Sequence, residues 1–251
     1  MGELIPLFPL GKPLFPGVVL PLQIFEPRYR SLVRDLTALP DTSDHRRFGV
    51  VAIRQGWEVE HVAPAEALYD VGCTAHLHTV RPQSDGGFRI VTVGGDRFRL
   101  LDVVVGEEPP YLQGEVEWLA DEESAEDAAG EAECAAPVAH GSLAVLVRAV
   151  RDQFLEYVSE VAELGLGHGR HDVEVATMLE AVAEDPAALS WLVASAALLT
   201  TEDRQELLAE SATRRRLVTE SRLLRRELTL LQEIGAVPVP LHEFATPMTV
   251  N

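Results

Sequence analysis

The sequence predicts an α+β fold in which a β-rich pseudo-barrel with one packed helix precedes a C-terminal α-helical bundle. Two patterns predict this division. From Leu4 to about Trp118 the apolar residues come mostly in short alternating runs separated by Gly, Pro and Asp, which is typical of strands joined by turns. Beyond Gly141 the apolar residues recur every three or four positions, which is the period of amphipathic helices.

The same patterns place the domain boundaries. We expect a β-rich subdomain at 1–119, a linker or loop at 120–140, a helical bundle at 141–235 and an extended tail at 236–251. The segment 120–140 carries seven acidic residues, no Arg or Lys and almost nothing large enough to bury. The tail is too rich in proline to continue a helix.

One helix interrupts the β-rich half. Pro27, preceded by Glu26, fits the first helical position, where its missing N–H costs no bond and its fixed φ suits a helix. Apolar residues then follow at helical spacing on one face: Tyr29, Leu32, Val33 and Leu36. This predicts an amphipathic helix from Pro27 to about Leu39, packed on the strands.

In the C-terminal half the spacing predicts four helices. The first begins near Gly141 and its apolar face is Leu143, Leu146, Val150, Phe154, Tyr157, Val161 and Leu164. The second and third are predicted at 172–185 and 186–199. The last helix is capped by Thr200 or Thr201, has an acidic first turn and ends at Gly235. Its buried face is Leu217, Ser221, Leu224, Leu228 and Leu231.

Charge and hydropathy exclude several classes of partner. Acidic residues outnumber basic ones 40 to 21, so neither nucleic acid nor an anionic membrane surface is an expected partner. No apolar run reaches the length of about 18 residues that a transmembrane helix requires, and the first residues lack the basic start of a signal peptide. The expected location is therefore the cytoplasm.

Sequence motifs for catalysis are also missing. The chain contains neither the GxxxxGK[ST] pattern of a P-loop nor a GxSxG nucleophile elbow. Its single lysine, Lys12, lies between Gly11 and Pro13 in a predicted connection. A Ser–His–Asp site assembled from distant residues stays open on sequence alone. We expect no enzymatic activity and no cofactor.

The alternative function is a metal-dependent hydrolase that uses His168, His171 and Asp172. Two imidazoles and a carboxylate are good zinc ligands. However, the three residues lie in a Gly-rich segment between predicted helices, whereas metal ligands come from rigid elements with supporting contacts. The sequence therefore favours no metal site.

The opening segment carries the most specific motif. Pro16 and Gly17 predict a turn, and Pro21 marks an edge strand or a bulge. Glu26, Arg28 and Tyr29 are expected to form a buried or half-buried polar network that orients the helix, since buried charges need partners.

These residues carry a family resemblance. The paired "PLFPL" and "PLFPG" units and "VVLPLQIFEPRYRSLV" closely resemble the start of the Lon-protease amino-terminal domain as it occurs in small stand-alone proteins. The resemblance continues through "FGVVAI", "VGCTAHL", "GGDRFRLLDV" and "PYLQGEVEWL" to the helices around "DRQELLAESATRRRLV". It implies a β-rich pseudo-barrel followed by a helical bundle, and a domain that engages unfolded or tagged proteins. The ATPase and Ser–Lys peptidase modules of full-length Lon proteases are missing from this sequence.

We therefore expect a module that binds unfolded polypeptide or a partner protein without cleaving it, in a role suited to protein quality control. Aromatic side chains are common anchors of such surfaces, and the expected binding residues are Trp118, Phe154 and Tyr157. The oligomeric state stays open, because the leucine-faced last helix also suits self-association.

Overall fold

The computed structural model describes residues 2–54, 66–106, 108–122, 136–164, 177–182 and 184–235, with side chains described from residue 143 onward in the first long helix. The chain divides into two compact units, Met1–Ala120 and Asp121–Asn251. The first unit is built around a β-sheet, whereas the second is helical.

Six strands form the sheet of the first unit: β1 Glu3–Leu10, β2 Val19–Ile24, β3 Arg47–Ala52, β4 Val71–Pro82, β5 Phe88–Val104 and β6 Gln113–Leu119. Their order is β2-β5-β4-β3-β1-β6, and β6 also pairs with β5. Hydrogen bonds therefore close a ring of five strands, with β2 outside it on the first half of β5. Among the strands that the structure describes, β1 and β3 are the one parallel pair. The predicted pseudo-barrel is confirmed.

The barrel closes because β5 is long enough to pair with two strands, one after the other, along the same edge. Residues 88–93 pair with β2, whereas residues 97–104 pair with β6. Alternate residues of the strands point into the ring and make one apolar core. Its buried members are Ile5, Leu7, Val51, Phe98, Val103 and Val116 from the strands and Leu68 from the segment before β4.

The predicted helix of this unit is confirmed as α1, Pro27–Ala38, with Pro27 in its first turn. All four residues of the predicted apolar face are buried, and the Tyr29 ring stacks on Phe8 with centroids 4.0 Å apart. The Tyr111 hydroxyl donates to Asp35 Oδ2 at 2.9 Å, which ties α1 to the segment before β6. Burial and the Asp35 carboxylate raise the pKa of Tyr111 to about 12.

The helical unit contains α2 Ala136–Glu163, α3 Pro186–Ala196, α4 Thr201–Ala209 and α5 Thr213–Ile234. Helix α2 begins at Ala136, inside the segment expected to be a linker, with Pro137 in its first turn, where a proline is tolerated. Residues 177–181 are helical, and the rest of the predicted helix 172–185 lies largely outside the described residues. None of the described helices combines the length and apolar character needed to cross a bilayer.

The prediction of one continuous last helix is wrong, because the chain breaks at 210–212 into α4 and α5. Two hydrogen bonds stabilise the break: Arg216 Nη1 donates to the Glu210 carbonyl at 2.9 Å, and the Ala212 amide donates to Glu210 Oε1 at 2.9 Å. These bonds satisfy groups that a continuous helix would pair along its axis. The predicted ends are confirmed, since Thr200 caps α4 and Gly235 ends α5 with φ 66°.

Candidate binding surface

The opening motif forms a tight turn against β5. The Val18 amide donates to the Phe15 carbonyl at 3.2 Å, and Pro16 and Gly17 occupy the two central positions. Gly17 has φ 73°, which a residue with a Cβ rarely adopts. The Gly17 amide donates to the Gly94 carbonyl at 2.9 Å, so the turn is held on β5 where β2 begins.

Strand β2 follows this turn and is the outer strand of the sheet. Among the described residues it pairs with β5 alone. Pro21 lies in the middle of this edge strand, opposite Val91, where a proline is tolerated because its N–H is not needed by the neighbouring strand. Exposed side chains alternate along the strand and continue one residue past its end: Val19, Pro21, Gln23 and Phe25.

Glu26, Arg28 and Tyr29 lie together at the start of α1. Arg28 Nη2 is 2.8 Å from Glu26 Oε2, and both side chains are half-exposed. The Arg28 guanidinium lies over the Tyr29 ring, 4.7 Å from its centroid. Burial raises the pKa of Tyr29. Only Tyr29 is fully buried, so this network is half-buried rather than part of the core.

Trp118 is partly exposed at the end of β6 and lines a surface cleft of about 430 Å³. Its Nε1 donates to Glu3 Oε2 at 3.0 Å, and the Arg47 guanidinium lies 4.5 Å from the ring centroid. Val116 and Leu101 also line the cleft, and Leu101 is 51% exposed. The indole is thus fixed in orientation while part of its surface stays accessible.

Phe154 and Tyr157 do not lie on a surface. Both are buried in the helical unit, with exposures of 0% and 2%, and their rings stack with centroids 6.5 Å apart. The Tyr157 hydroxyl accepts a hydrogen bond from the Leu198 amide at 3.1 Å. A partner could reach them only if α2 left its neighbours, so we correct their expected role from binding to packing.

His168, His171 and Asp172 lie outside the described residues. Within the described part of the chain, no three His, Cys, Asp or Glu side chains are grouped so that they could hold a metal ion. Of the titratable groups in the barrel, Cys73 is buried, and burial raises the pKa of its thiol to about 12. It is therefore a protonated core residue near neutral pH.

Sequence reasoning did not single out the exposed apolar residues Val19, Phe25 and Leu101. A signal for the first two is present, because no charged residue occurs between Lys12 and Glu26 in a chain that is 24% charged. The exposure of Leu101 follows from an irregular pairing of β5 with β6 between Leu100 and Asp102, which leaves no signature in the sequence.

Comparisons with known proteins agree with this architecture. The family model described as "ATP-dependent protease La (LON) substrate-binding domain" matches residues 4–226. Lon protease 1 of Herpetosiphon aurantiacus is 26% identical over 89% of this chain and 24% of its own length. The Lon protease of Anaeromyxobacter dehalogenans is 27% identical over 91% of this chain and 24% of its own. The chain spans about a quarter of the length of these relatives.

Two solved structures are similar. A Lon N-terminal domain protein from Xanthomonas campestris is 25% identical with a TM-score of 0.54, over 89% of this chain and 98% of its own. The N-terminal domain of the Mycobacterium avium complex Lon protease, with the same coverage, is 16% identical with a TM-score of 0.56, which supports the fold alone. With the family model matched from the first strand of the barrel into the last helix, the chain belongs to the family of Lon substrate-binding domains.

Proposed function

We propose that the chain binds unfolded polypeptide or a partner protein without cleaving it, in a role suited to protein quality control. The observation that carries the proposal is the match of the substrate-binding family through both compact units. The relatives that bear the name Lon protease are about four times longer than the matched region.

Uncharged, accessible surface on the barrel supports this proposal. Val19 begins the edge strand and Phe25 directly follows it, and their side chains are 60% and 63% exposed. Leu101 adds a third exposed apolar side chain, which lines the Trp118 cleft. Unfolded chains differ from folded ones in displaying apolar side chains, so surfaces of this kind suit them as ligands.

Trp118 is the contact that we propose for the cleft. Tryptophan is enriched among residues that dominate binding energy, and an aromatic ring that is already oriented loses little entropy on binding. The hydrogen bond from Trp118 to Glu3 and the stacking of Arg47 on the indole ring supply that orientation.

The first experiment measures binding and cleavage together. A fluorescent, reduced and carboxymethylated test protein is titrated with the chain while anisotropy is recorded, and the same mixture is run on a gel after prolonged incubation. We expect saturable binding and intact test protein, with no binding of the native, disulfide-bonded form. Absence of saturable binding, or the appearance of fragments, would contradict the proposal.

The second experiment locates the contact. Leu101→Asp places a charge at the rim of the Trp118 cleft, and Val218→Asp places one at an equally exposed apolar position on α5. We expect the first variant to bind the unfolded protein at least roughly tenfold more weakly, corresponding to about 1.4 kcal/mol, and the second to bind like wild type. Equal affinities would remove the cleft from the proposal.

A further inference from the structure

We infer that the open edge of β2 takes up an extended, uncharged segment of another polypeptide as an added strand. This inference rests on the proposed function and specifies how the ligand is held. Strand addition of this kind obtains affinity from main-chain hydrogen bonds and selectivity from alternate side chains.

Hydrogen bonds fix which backbone groups of β2 face the open side. The Gly94 amide donates to the Val18 carbonyl at 2.9 Å, and Thr92 Oγ1 donates to the Leu20 carbonyl at 3.1 Å. Since these carbonyls point to β5, the intervening groups of an antiparallel ladder must point away from it. The peptide groups that face outward therefore belong to Val19, Pro21 and Gln23.

These outward groups have no hydrogen-bond partner within the described residues. Strand β2 pairs with β5 alone there. The backbone hydrogen bonds of the turn before β2 involve Phe15, Gly17 and Val18, and none involves Val19, Pro21 or Gln23. The edge thus offers two N–H donors, from Val19 and Gln23, and three carbonyl acceptors. An extended main chain is the ligand that matches such an alternating row.

The edge lacks charged side chains, which are one usual protection against strand pairing, and Pro21 is its one residue of a protecting type. Natural edge strands are commonly guarded by charged side chains, above all lysine. Here no charged residue lies between Lys12 and Glu26, and the outward side chains of Val19 and Phe25 are exposed. An edge without charges offers no ion-pair partner to a charged ligand side chain, and it therefore suits an uncharged segment, which an unfolded chain exposes.

Pro21 decides between a foreign segment and a second copy of this chain. In an antiparallel pairing of two β2 edges each copy lacks the Pro21 N–H, and when Pro21 lies opposite Pro21 the central pair contains no N–H donor at all. A foreign segment presents an ordinary residue there, whose N–H can donate to the Pro21 carbonyl. The geometry thus favours another polypeptide over self-pairing.

Proline substitution tests the inference directly. The double variant Val19→Pro/Gln23→Pro removes both outward donors and keeps every bond to β5, because prolines are compatible with extended edge strands. Its control, Val19→Ala/Gln23→Ala, shortens the same side chains but retains both N–H groups. Using the unfolded test protein, we expect roughly tenfold weaker binding for the proline variant than for the alanine variant. Equal affinities of the two folded variants would overturn the inference, although the proposed function would stand.

Amide exchange gives a readout that needs no variant. In the wild-type chain the amides of Leu20 and Leu22, which face β5, should exchange slowly with or without ligand. The amides of Val19 and Gln23 should exchange quickly alone and slowly once the unfolded test protein is bound. Bound ligand without protection at these two amides would overturn strand addition, and protection that grows with chain concentration alone would indicate self-pairing instead. A failure of the test protein to bind at all would instead contradict the proposed function.

Discussion

Arg216 shows at the residue scale how the helical unit holds a buried cation. The side chain has no exposed surface. Nε donates to Ser190 Oγ at 2.7 Å and Nη2 donates to Thr213 Oγ1 at 2.8 Å, while the guanidinium stacks on the Trp191 ring at 3.4 Å. A buried charge is tolerated only when its donors are paired, and these partners come from α3 and α5.

Removal of this side chain should therefore be costly. We expect Arg216→Ala to lower the free energy of unfolding by about 3–5 kcal/mol, because Ser190 and the Glu210 carbonyl lose their donor and a void opens against Trp191. Chemical denaturation followed by circular dichroism measures the change. Arg222→Ala is the matched control on the same helix, since within the described residues Arg222 forms only an exposed ion pair with Glu206 at 3.3 Å, of about 1 kcal/mol or less. A similar change for both variants would contradict this account.

Glu220 should make the stability of the helical unit depend on pH. The carboxyl group is buried and accepts a hydrogen bond from Ser190 at 2.7 Å. Burial raises its pKa well above the ordinary range, although the hydrogen bond from Ser190 and the charge of Arg216 both lower it. Because folding raises the pKa of Glu220, its contribution to the free energy of unfolding is fully present below the pKa of the unfolded chain. That contribution is lost as pH rises through the pKa of the folded chain.

Glu220→Gln should remove this dependence, because the amide oxygen still accepts from Ser190 and the side chain no longer ionises. We expect a flatter plot of unfolding free energy against pH than for wild type, with the difference in favour of the variant growing above the unfolded pKa. Urea denaturation between mildly acidic and mildly alkaline pH measures it. Parallel curves for the two proteins would show that Glu220 does not titrate in this way.

At the scale of elements, the turn before β2 and the centre of β5 pack backbone to backbone. A Cβ at Gly94 would collide with the Phe15 carbonyl, so this glycine permits the contact that positions the edge strand.

Gly94→Ala should destabilise the barrel by about 1–3 kcal/mol, because the turn must move away from β5. Thermal unfolding compared with wild type measures the effect. Gly11→Ala is the control, since a Cβ there would meet nothing within 4 Å. If the Gly94 variant were as stable as the Gly11 variant, the close packing would not be needed for the fold.

Elements differed in how well their sequences predicted them. Helix α1 could be predicted closely, because Pro27 and the spacing of its apolar residues are local signals. The break between α4 and α5 could not, because neither Gly nor Pro occurs at 210–212 and the side chain that stabilises it, Arg216, depends on Ser190 of another helix.

At the scale of the whole molecule, the net charge of −19 should act on association rates. Charges that are summed over a protein steer ligands of opposite sign, and salt screens the effect. We expect a cationic unfolded protein to associate faster than an anionic one of similar length at low ionic strength, and the two rates to converge at high salt. Stopped-flow anisotropy measures both. A rate difference that salt does not change would indicate local contacts instead.

The sequence by itself determined the fold class, the family and the absence of P-loop and GxSxG motifs, because these depend on local periodicity and on short motifs such as "PLFPG" and "FEPRYR". It also indicated three aromatic contacts, of which only Trp118 has accessible surface. Tertiary structure decided which apolar residues stay exposed, because burial depends on the elements that pack against a residue. An apolar stripe such as that of Phe154 and Tyr157 has the same sequence pattern whether a neighbouring helix or solvent lies beside it. Likewise, the register of β2 on β5 decides that Val19, Pro21 and Gln23 face outward.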